Sequence, residues 1–388
     1  MLKKNPSINC TGCGACATVC PKDCIRLTPN AEGFLCPVID EDKCIGCHRC
    51  TGVCPSLQKP ECTDRISCAL AIVNRDSAQH RASSSGGVFV LLATEIIARG
   101  GVVFGAAFTE DFGGVEHVAV SKVEELRRIM QSKYLQSRIG DSYREAKRLL
   151  DAGAPVLFTG TPCQIAGLLR YLGREYDNLY TQDFVCHGVP SPEIWRRYLT
   201  YLEKKKRSRA VAVEFRNKRY GWGAYHMLIT FANGKTYRRH HGEDPYMRGF
   251  LADIYLRPSC HRCDCKGAVR PSDITLADFW GVAKAYPELY NAYGTSLVLA
   301  HSERGRELLA GLKNVTSTPV DLDVALRYNT AALTSATPSP RRDAFWDELS
   351  RRELSQVLRG MFPDGPVKKA KRVAKRVVFE YKRLFRKL

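Results

Sequence analysis

Cys10-Thr-Gly-Cys-Gly-Ala-Cys-Ala-Thr-Val-Cys-Pro21 returns 34 residues later as Cys44-Ile-Gly-Cys-His-Arg-Cys-Thr-Gly-Val-Cys-Pro55. Both copies are poor in large apolar side chains, so this part of the chain cannot build a core from side chains alone. The spacing C-x2-C-x2-C-x3-C-P predicts an inorganic core instead. In this pattern three thiolates bind one 4Fe-4S cluster and the fourth crosses to a second cluster.

The spacing assigns eight cysteines to two ligand sets. The first set is Cys10, Cys13, Cys16 and Cys54, and the second set is Cys44, Cys47, Cys50 and Cys20. A structural zinc site is the alternative, but zinc favours separated C-x2-C pairs. Four further cysteines fit neither set and are expected to be small buried apolar residues: Cys24, Cys36, Cys62 and Cys68.

The composition places the rest of the chain among globular proteins. Its 388 residues are 44% hydrophobic and 26% charged, which suits two or three domains. The longest strongly apolar run, Val88 to Ala98, is too short to span a bilayer, and residues 1–7 lack the apolar segment of a secretory signal. We therefore expect a cytoplasmic protein, in which 17 cysteines indicate metal binding rather than disulfides.

Beyond residue 66 the hydrophobic pattern alternates between strands and helices. It predicts helices over 87–99, 123–130, 161–171 and 192–205, and strands over 102–108, 115–120, 155–159, 179–185, 211–215, 225–232 and 235–240. Asn233-Gly234 is expected to form a tight hairpin turn between the last two strands. The expected fold class is α+β to α/β, with a small two-cluster ferredoxin domain (1–62), a mixed-sheet body (63–335) and a helical extension (336–388).

Five cysteines lie beyond residue 160. Cys163 and Cys186 each follow an apolar strand, and Cys260, Cys263 and Cys265 share one loop. Because ligands of open α/β sheets bind at the ends of strands, four of the five can meet as a third cluster, with Cys260 and Cys263 as the local pair. Isolated buried cysteines and a zinc site are alternatives that the spacing leaves open.

Two features suggest where an anionic cofactor would bind. Ser83-Ser-Ser-Gly-Gly87 precedes a predicted helix, where free N–H groups and the helix dipole suit a phosphate. An N-capping serine beside a flexible glycine pair explains the same residues. Lys133, next to Tyr134, offers a cation beside an aromatic ring, as suits a flavin or its phosphates, and an exposed lysine is the alternative.

A series of further motifs resembles one known family in order along the chain. The motifs are Ser84-Ser-Gly-Gly-Val-Phe89, Ser132-Lys-Tyr-Leu-Gln-Ser137, Phe158-Thr-Gly-Thr-Pro-Cys-Gln164, Cys186-His-Gly-Val-Pro-Ser191, Phe215-Arg-Asn-Lys218 with Gly221-Trp222, Arg257-Pro-Ser-Cys260 and Ser272-Asp-Ile-Thr-Leu-Ala-Asp-Phe-Trp-Gly281. From residue 1 to about 330 the chain is similar to the coenzyme F420 hydrogenase/dehydrogenase beta-subunit family. Members of that family bind FAD beside a 4Fe-4S cluster and pass electrons between clusters and a substrate.

The resemblance implies a flavin-binding body with a third 4Fe-4S cluster. The body is then divided into an N-terminal part, 63–145, and a C-terminal part, 146–335, which carries the third cluster and the flavin site. The cluster falls on Cys163, Cys186, Cys260 and Cys263, with Cys265 as an alternative to Cys263. The candidate FAD residues are Ser84, Ser85, Gly86, Gly87 and Lys133.

The implied function is that of an iron-sulfur flavoprotein oxidoreductase. It would pass electrons between ferredoxin-type clusters, FAD and an organic substrate or a deazaflavin-type coenzyme, with a ferredoxin or another redox protein as its partner. Two alternatives stay open: an electron-transfer subunit of a larger redox complex, and a reductase in the synthesis of surface polysaccharide or polyprenyl-linked sugars. No residue is assigned a catalytic role.

Residues 367–388 form a basic tail, with ten Lys or Arg and one Glu, and carry +9 of the formal net charge of +19. Five apolar residues recur on one stripe of a helix: Val373, Val377, Tyr381, Leu384 and Leu388. Such a helix is expected either to bind an anionic membrane surface, on the inner face of the membrane, or to pack against the body or a partner. Nucleic acid is not an expected partner, because no nucleic-acid motif accompanies the charge.

Overall fold

The computed structural model describes residues 9–58 and 68–363. The basic tail, Cys62 and the predicted domain boundary at residue 62 lie outside these residues. Three statements stay predictions: the membrane attachment of the tail, the domain boundaries and the cytoplasmic location. None of the helices in the described part of the chain has the length and apolar character needed to cross a membrane.

The cysteine repeat folds into a small unit with two short helices and one hairpin. The helices are α1 (Ala15–Thr18) and α2 (Arg49–Gly52), and each contains the third cysteine of its motif. Strands β1 (Ile25–Pro29) and β2 (Leu35–Ile39) pair antiparallel between the two motifs. The two halves of the repeat thus lie on either side of one hairpin in the sequence.

The body contains twelve further strands and eleven further helices within the described residues. In chain order they are β3 (Cys68–Asn74), α3 (Ser77–Ala82), α4 (Val88–Ala98), β4 (Val102–Phe108), β5 (Val115–Val120), β6 (Ser137–Arg138), α5 (Ser142–Asp151), β7 (Val156–Thr159), α6 (Pro162–Leu172), β8 (Leu179–Phe184), α7 (Pro192–Lys206), β9 (Ala210–Asn217), β10 (His226–Phe231), β11 (Thr236–His240), α8 (Pro245–Leu251), β12 (Ile274–Asp278), α9 (Val282–Ala285), β13 (Ser296–Ala300), α10 (Glu303–Ala310), β14 (Val315–Pro319), α11 (Leu322–Arg327), α12 (Arg342–Arg351) and α13 (Leu354–Met361). Short 3-10 helices cover Val123–Arg128, Trp222–Ala224, Pro258–Arg262, Pro287–Leu289 and Thr330–Ala332.

A mixed sheet of nine strands organises the body, in the order β14-β3-β13-β12-β8-β7-β4-β5-β6. Its centre is parallel, because β12, β8, β7 and β4 run in one direction, whereas most of the flanking pairs are antiparallel. The carboxyl ends of parallel strands meet at one edge of a sheet, which is where α/β proteins bind ligands. The mixed α/β fold predicted from the sequence is confirmed.

A second sheet of three antiparallel strands, β11-β10-β9, packs its apolar face into the largest core cluster. That cluster includes Trp195 of α7, Phe215 of β9 and Phe345 of α12. Asn233-Gly234 lies in the turn between β10 and β11 as predicted, but of the two residues only Gly234 has the expected positive φ, which is 77°.

One predicted helix differs in type, and several strands were not predicted. The helix expected over 123–130 is a 3-10 helix that ends at Arg128, although Leu126, Ile129 and Met130 are all buried in one core cluster. Seven of the observed strands were not predicted: β1, β2, β3, β6, β12, β13 and β14. All five residues of β13 are buried, so this strand lacks the alternation by which a half-buried strand is read.

Candidate cluster and flavin sites

The four predicted ligands of the first set lie close together beside helix α6. Burial raises the pKa of the Cys13 thiol to about 11, and the neighbouring thiols of Cys10 and Cys54 contribute to the rise. Burial also raises the pKa of Cys16, with the other three thiols as the next causes. A Cβ added at Gly167 of α6 would lie 3.0 Å from Cys13 Sγ, so the first set packs directly against the body.

The second predicted set lines an open cavity of about 430 Å³ in the dicluster segment. Cys20, Cys44, Cys47 and Cys50 all contribute to its wall. Unlike the buried Cys13, Cys47 is exposed, and the neighbouring Ile45 is 60% exposed. The second set therefore faces outward, whereas the first set faces the body.

Cys24 and Cys36 are buried as predicted, but each also lies against a predicted ligand. Cys24 Sγ is 3.3 Å from Cys20 Sγ. A hydrogen bond with Cys36 is the main cause that lowers the pKa of Cys10 to about 6. These contacts were not predicted, because the hairpin of β1 and β2 brings one further thiol to each set of four. The spacing within a motif does not indicate contacts that a hairpin makes.

The predicted residues of the third set come together in one open cavity of about 470 Å³. Cys163 lies at the second position of α6, directly after β7, and Cys186 follows the neighbouring parallel strand β8. The third segment begins with the 3-10 helix Pro258–Arg262 and supplies Cys260, Cys263 and Cys265. Cys265 is thus placed among the candidate ligands, and its hydrogen bond to Cys263 is the main cause that lowers the pKa of Cys263 to about 6.

The groups around this third cavity suit a cluster with anionic ligands. Val189 N donates a hydrogen bond to Cys260 Sγ (3.4 Å), and the side chains of Lys266 and Arg270 line the same cavity. Within residues 9–58 and 68–363 no three His, Cys, Asp or Glu side chains converge on one point as a single metal ion would need. A cubane gives each thiolate its own iron, so its ligands surround a cavity, as the cysteines do here.

The predicted FAD residues Ser84, Ser85 and Gly86 lie beside the sheet, and each already has a protein partner. Ser84 Oγ accepts a hydrogen bond from Ser132 N (2.8 Å), Ser85 Oγ donates to Thr295 O (3.1 Å), and Gly86 N donates to Ser296 Oγ (2.9 Å). A Cβ at Gly86 would lie 2.3 Å from Ile72 O, so glycine is needed here for close packing against β3.

Gly87 rather than a serine stands at the N-cap of α4. It has a φ of 84°, and no side chain caps the helix. The N-capping serine considered in the sequence analysis is therefore not observed, and the glycine provides the left-handed turn into the helix.

Two lysines near this turn form no ion pair among the described residues. Lys133 is partly buried, with Nζ donating to Met130 O (2.7 Å), and burial lowers its pKa to about 7. Lys218 is 4% exposed and donates to His80 O (2.8 Å), Ser85 O (2.8 Å) and Tyr293 O (2.6 Å); burial lowers its pKa to about 7 as well. The sequence analysis did not select Lys218, although the motif Phe215-Arg-Asn-Lys218 contains it.

Comparison with known proteins gives two matches to family models. Residues 154–319 match the model that describes the C terminus of the coenzyme F420 hydrogenase/dehydrogenase beta subunit, and residues 9–57 match the 4Fe-4S dicluster domain. No curated protein matches the chain. Among solved structures, a chain of the F420-reducing NiFe hydrogenase complex from Methanosarcina barkeri is 14% identical, with a TM-score of 0.45 over 71% of this chain and 96% of that chain. Residues 154–319 thus belong to the coenzyme F420 hydrogenase/dehydrogenase beta-subunit family, behind a 4Fe-4S dicluster domain at residues 9–57, as the motifs predicted.

Proposed function

We propose that this protein is an iron-sulfur flavoprotein oxidoreductase that passes electrons between 4Fe-4S clusters, FAD and an organic substrate or a deazaflavin-type coenzyme. The observation that carries the proposal is the cavity formed by five cysteines of the body. These cysteines come from three separate segments, and Thr11 of the dicluster domain lines the same cavity. A cluster in this cavity would lie next to the first set of the dicluster domain.

Each cluster is assigned four cysteine ligands in this proposal. One cluster would be held by Cys10, Cys13, Cys16 and Cys54, the second by Cys44, Cys47, Cys50 and Cys20, and the third by Cys163, Cys186, Cys260 and Cys263. The repeat spacing supports the first two sets, and the shared cavities support the second and third. Cys265 is the alternative to Cys263 in the third set.

Helix α6 links the first set to the third. Cys163 lies at the start of α6, and Gly167, one turn later, is the position against which Cys13 Sγ packs. The charge of Cys13 also contributes to the raised pKa of Cys163, which burial mainly causes. Cys163 of the third set and the contact of Cys13 of the first set therefore lie on adjacent turns of α6. The proposed order of electron carriers is second set, first set, third set.

The proposed FAD site combines the predicted residues with Lys218. The charges of Lys133 and Lys218 would attract the pyrophosphate of FAD next to Ser84, Ser85, Gly86 and Gly87, while the N–H groups of Lys218 donate to three backbone carbonyls. When bound, FAD would exchange single electrons with the clusters and electron pairs with an organic substrate.

Residues 131–137 support a short path between the flavin site and the clusters. At one end of this segment Ser132 N donates to Ser84 Oγ, and at the other Gln136 Nε2 donates to Thr11 O (2.8 Å). The segment therefore fixes the proposed phosphate-binding turn relative to the dicluster domain.

Iron, sulfide and flavin quantitation on one anaerobically purified sample tests the proposed function. We expect about twelve irons, about twelve sulfides and one FAD per chain, as three cubanes and one flavin require. About eight irons without flavin would contradict the flavoprotein proposal and would leave a protein with two clusters only.

An electron-transfer subunit of a larger redox complex is a second candidate, and exposed apolar residues of the dicluster domain favour it. Val38, Ile45 and Leu57 are all exposed in the dicluster domain, and Ile45 lies in the wall of the second cavity. Exposed apolar residues at a redox centre are typical of a surface that binds a partner. A partner that co-purifies in fixed ratio, together with the absence of substrate turnover by the isolated chain, would favour this candidate.

A further inference from the structure

Arg257 belongs to the body in sequence, but its guanidinium lies within the dicluster domain. The residue is 2% exposed. Nε donates to Cys10 O (2.6 Å), and Nη2 donates to Leu35 O (2.7 Å) in β2. Nη1 donates to Gln136 Oε1 (2.7 Å), so the fork is held by both parts of the chain.

The same guanidinium also reaches two thiols beside the first set. Arg257 Nη2 is 3.6 Å from Cys10 Sγ and 3.6 Å from Cys36 Sγ. Space for the fork is made by Gly12, where an added Cβ would lie 2.7 Å from Arg257 Nη1. Both Cys10 and Gly12 of the first motif are thus in contact with this one arginine.

The positive charge of Arg257 lacks a carboxylate partner within residues 9–58 and 68–363. Burying a guanidinium without an opposite charge is costly, so a native structure supplies one. Four thiolates around a 4Fe-4S core leave a net negative charge, and Cys10 is a proposed ligand of such a core. The cluster at the first set would be the missing counter-charge.

We propose that Arg257 is a positioning residue that neutralises the cluster at the first set and raises its reduction potential above that of the cluster at the second set. This inference rests on the proposed function. Reduction adds negative charge to a cluster, so a nearby cation and hydrogen bonds to the ligand sulfur stabilise the reduced form. Arg257 also precedes Cys260 by three residues, so it ties the loop of the third set to the first set.

Anaerobic redox titration of the full chain, followed by electron paramagnetic resonance, tests the inference. The variants are Arg257→Gln, which removes the charge, and Arg257→Lys, which keeps it. The matched control is Arg144→Gln, because Arg144 also joins the body to the dicluster domain, through Asp23 (2.7 Å), but has no hydrogen bond to a cysteine among the described residues. In Arg257→Gln one midpoint potential is expected to fall by at least about 59 mV, which is a tenfold change in the equilibrium constant of a one-electron couple. Arg257→Lys should stay nearer to the wild-type value.

Iron content separates failure of this inference from failure of the proposed function. If the wild-type chain holds no clusters, the proposed function fails and the inference falls with it. If Arg257→Gln holds as much iron as the control and all its midpoint potentials equal those of the control, the inference alone is overturned. If Arg257→Gln loses iron, Arg257→Lys decides the outcome. A wild-type iron content in Arg257→Lys, with midpoint potentials that change by less than tenfold in equilibrium constant, supports the proposed charge. Iron loss in both variants contradicts it.

Discussion

Gly12 and Gly46 occupy the same place in the two cysteine motifs, yet their surroundings differ. Their φ angles are 68° and 67°, so both lie in the left-handed region that favours glycine. A Cβ at Gly46 would meet nothing within 4 Å, whereas a Cβ at Gly12 would lie 2.7 Å from Arg257 and 2.8 Å from Gln136. The repeat is therefore symmetric in backbone but not in packing.

Alanine at these two positions should have unequal effects. Both substitutions carry the backbone strain of a left-handed residue, roughly 1–2 kcal/mol, so this cost cancels in the comparison. Gly12→Ala must also displace Arg257, which several hydrogen bonds hold in place, and we expect it to lower the melting temperature and the iron content more than Gly46→Ala does. Anaerobic thermal denaturation with iron analysis measures both effects, and equal losses would show that the fork of Arg257 does not need the space at Gly12.

Lys218 gives the proposed flavin site a defined pH dependence. Burial lowers the pKa of the Lys218 side chain to about 7, so the ammonium is progressively lost as the pH rises above 7. Binding a pyrophosphate requires the ammonium, and therefore FAD binding takes up a proton at higher pH. The affinity for FAD should fall as the pH rises from 7 to 9, by up to about tenfold per pH unit for each such lysine.

Flavin fluorescence titrations at pH 7, 8 and 9 test this dependence. Lys218→Met should bind FAD more weakly at pH 7 and should show a shallower pH dependence, because only Lys133 then titrates in this range. Lys204→Met on α7, which removes an exposed lysine, is the control and should behave as wild type. If the affinity for FAD depends on pH in the same way in Lys218→Met and Lys204→Met, Lys218 does not belong to the FAD site.

At the scale of elements, many apolar runs with clear ends could be predicted as strands, whereas several other strands and one helix type could not. Strands β4 and β5 have the predicted bounds, since both combine apolar runs with clear ends. Strand β13 was missed, although β7, which is also buried throughout, was predicted, and the segment Val123–Arg128 forms a 3-10 helix.

The candidate sites show the same division. The eight cysteines of the repeat could be assigned by spacing, because their ligand pattern is local. Arg257 could not be connected to Cys10, which lies 247 residues away, and no periodicity in the sequence reports on such a contact. Lys218 was missed for the same reason, since its partners His80 and Tyr293 lie in distant segments.

The loop that follows the 3-10 helix Pro258–Arg262 decides which cysteine completes the third set. Cys263 and Cys265 both line the cavity, and five thiols are present for four irons. We expect Cys263→Ser to lower the iron content by about four atoms per chain, as loss of one cubane requires, and Cys265→Ser to leave it unchanged. Iron analysis of the two anaerobically purified variants measures this, and the reverse result would make Cys265 the ligand.

At the scale of the whole molecule, the dicluster domain is fixed to the body at several points. Ser191 Oγ donates to Glu32 O (2.5 Å), Arg342 pairs with Glu32, and Arg144 pairs with Asp23. These contacts leave the second set as the outward-facing end of the proposed chain of carriers. A redox partner would then reach the protein most directly through the surface around Ile45.

Substitution of Ile45 tests whether electrons enter at that surface. Ile45→Ser removes exposed apolar area next to the second set, so it should slow reduction of the bound flavin by a reduced bacterial ferredoxin. Reduction by a small viologen dye should not change, since a dye does not need the protein surface, and Val211→Ser, at a position 49% exposed on β9, should alter neither rate. Stopped-flow absorbance at matched iron content gives both rates. If ferredoxin reduces the flavin of Ile45→Ser as fast as that of Val211→Ser, electrons do not enter at the second set. Equal slowing of Ile45→Ser with the dye and with ferredoxin would indicate damage to the cluster rather than weaker docking.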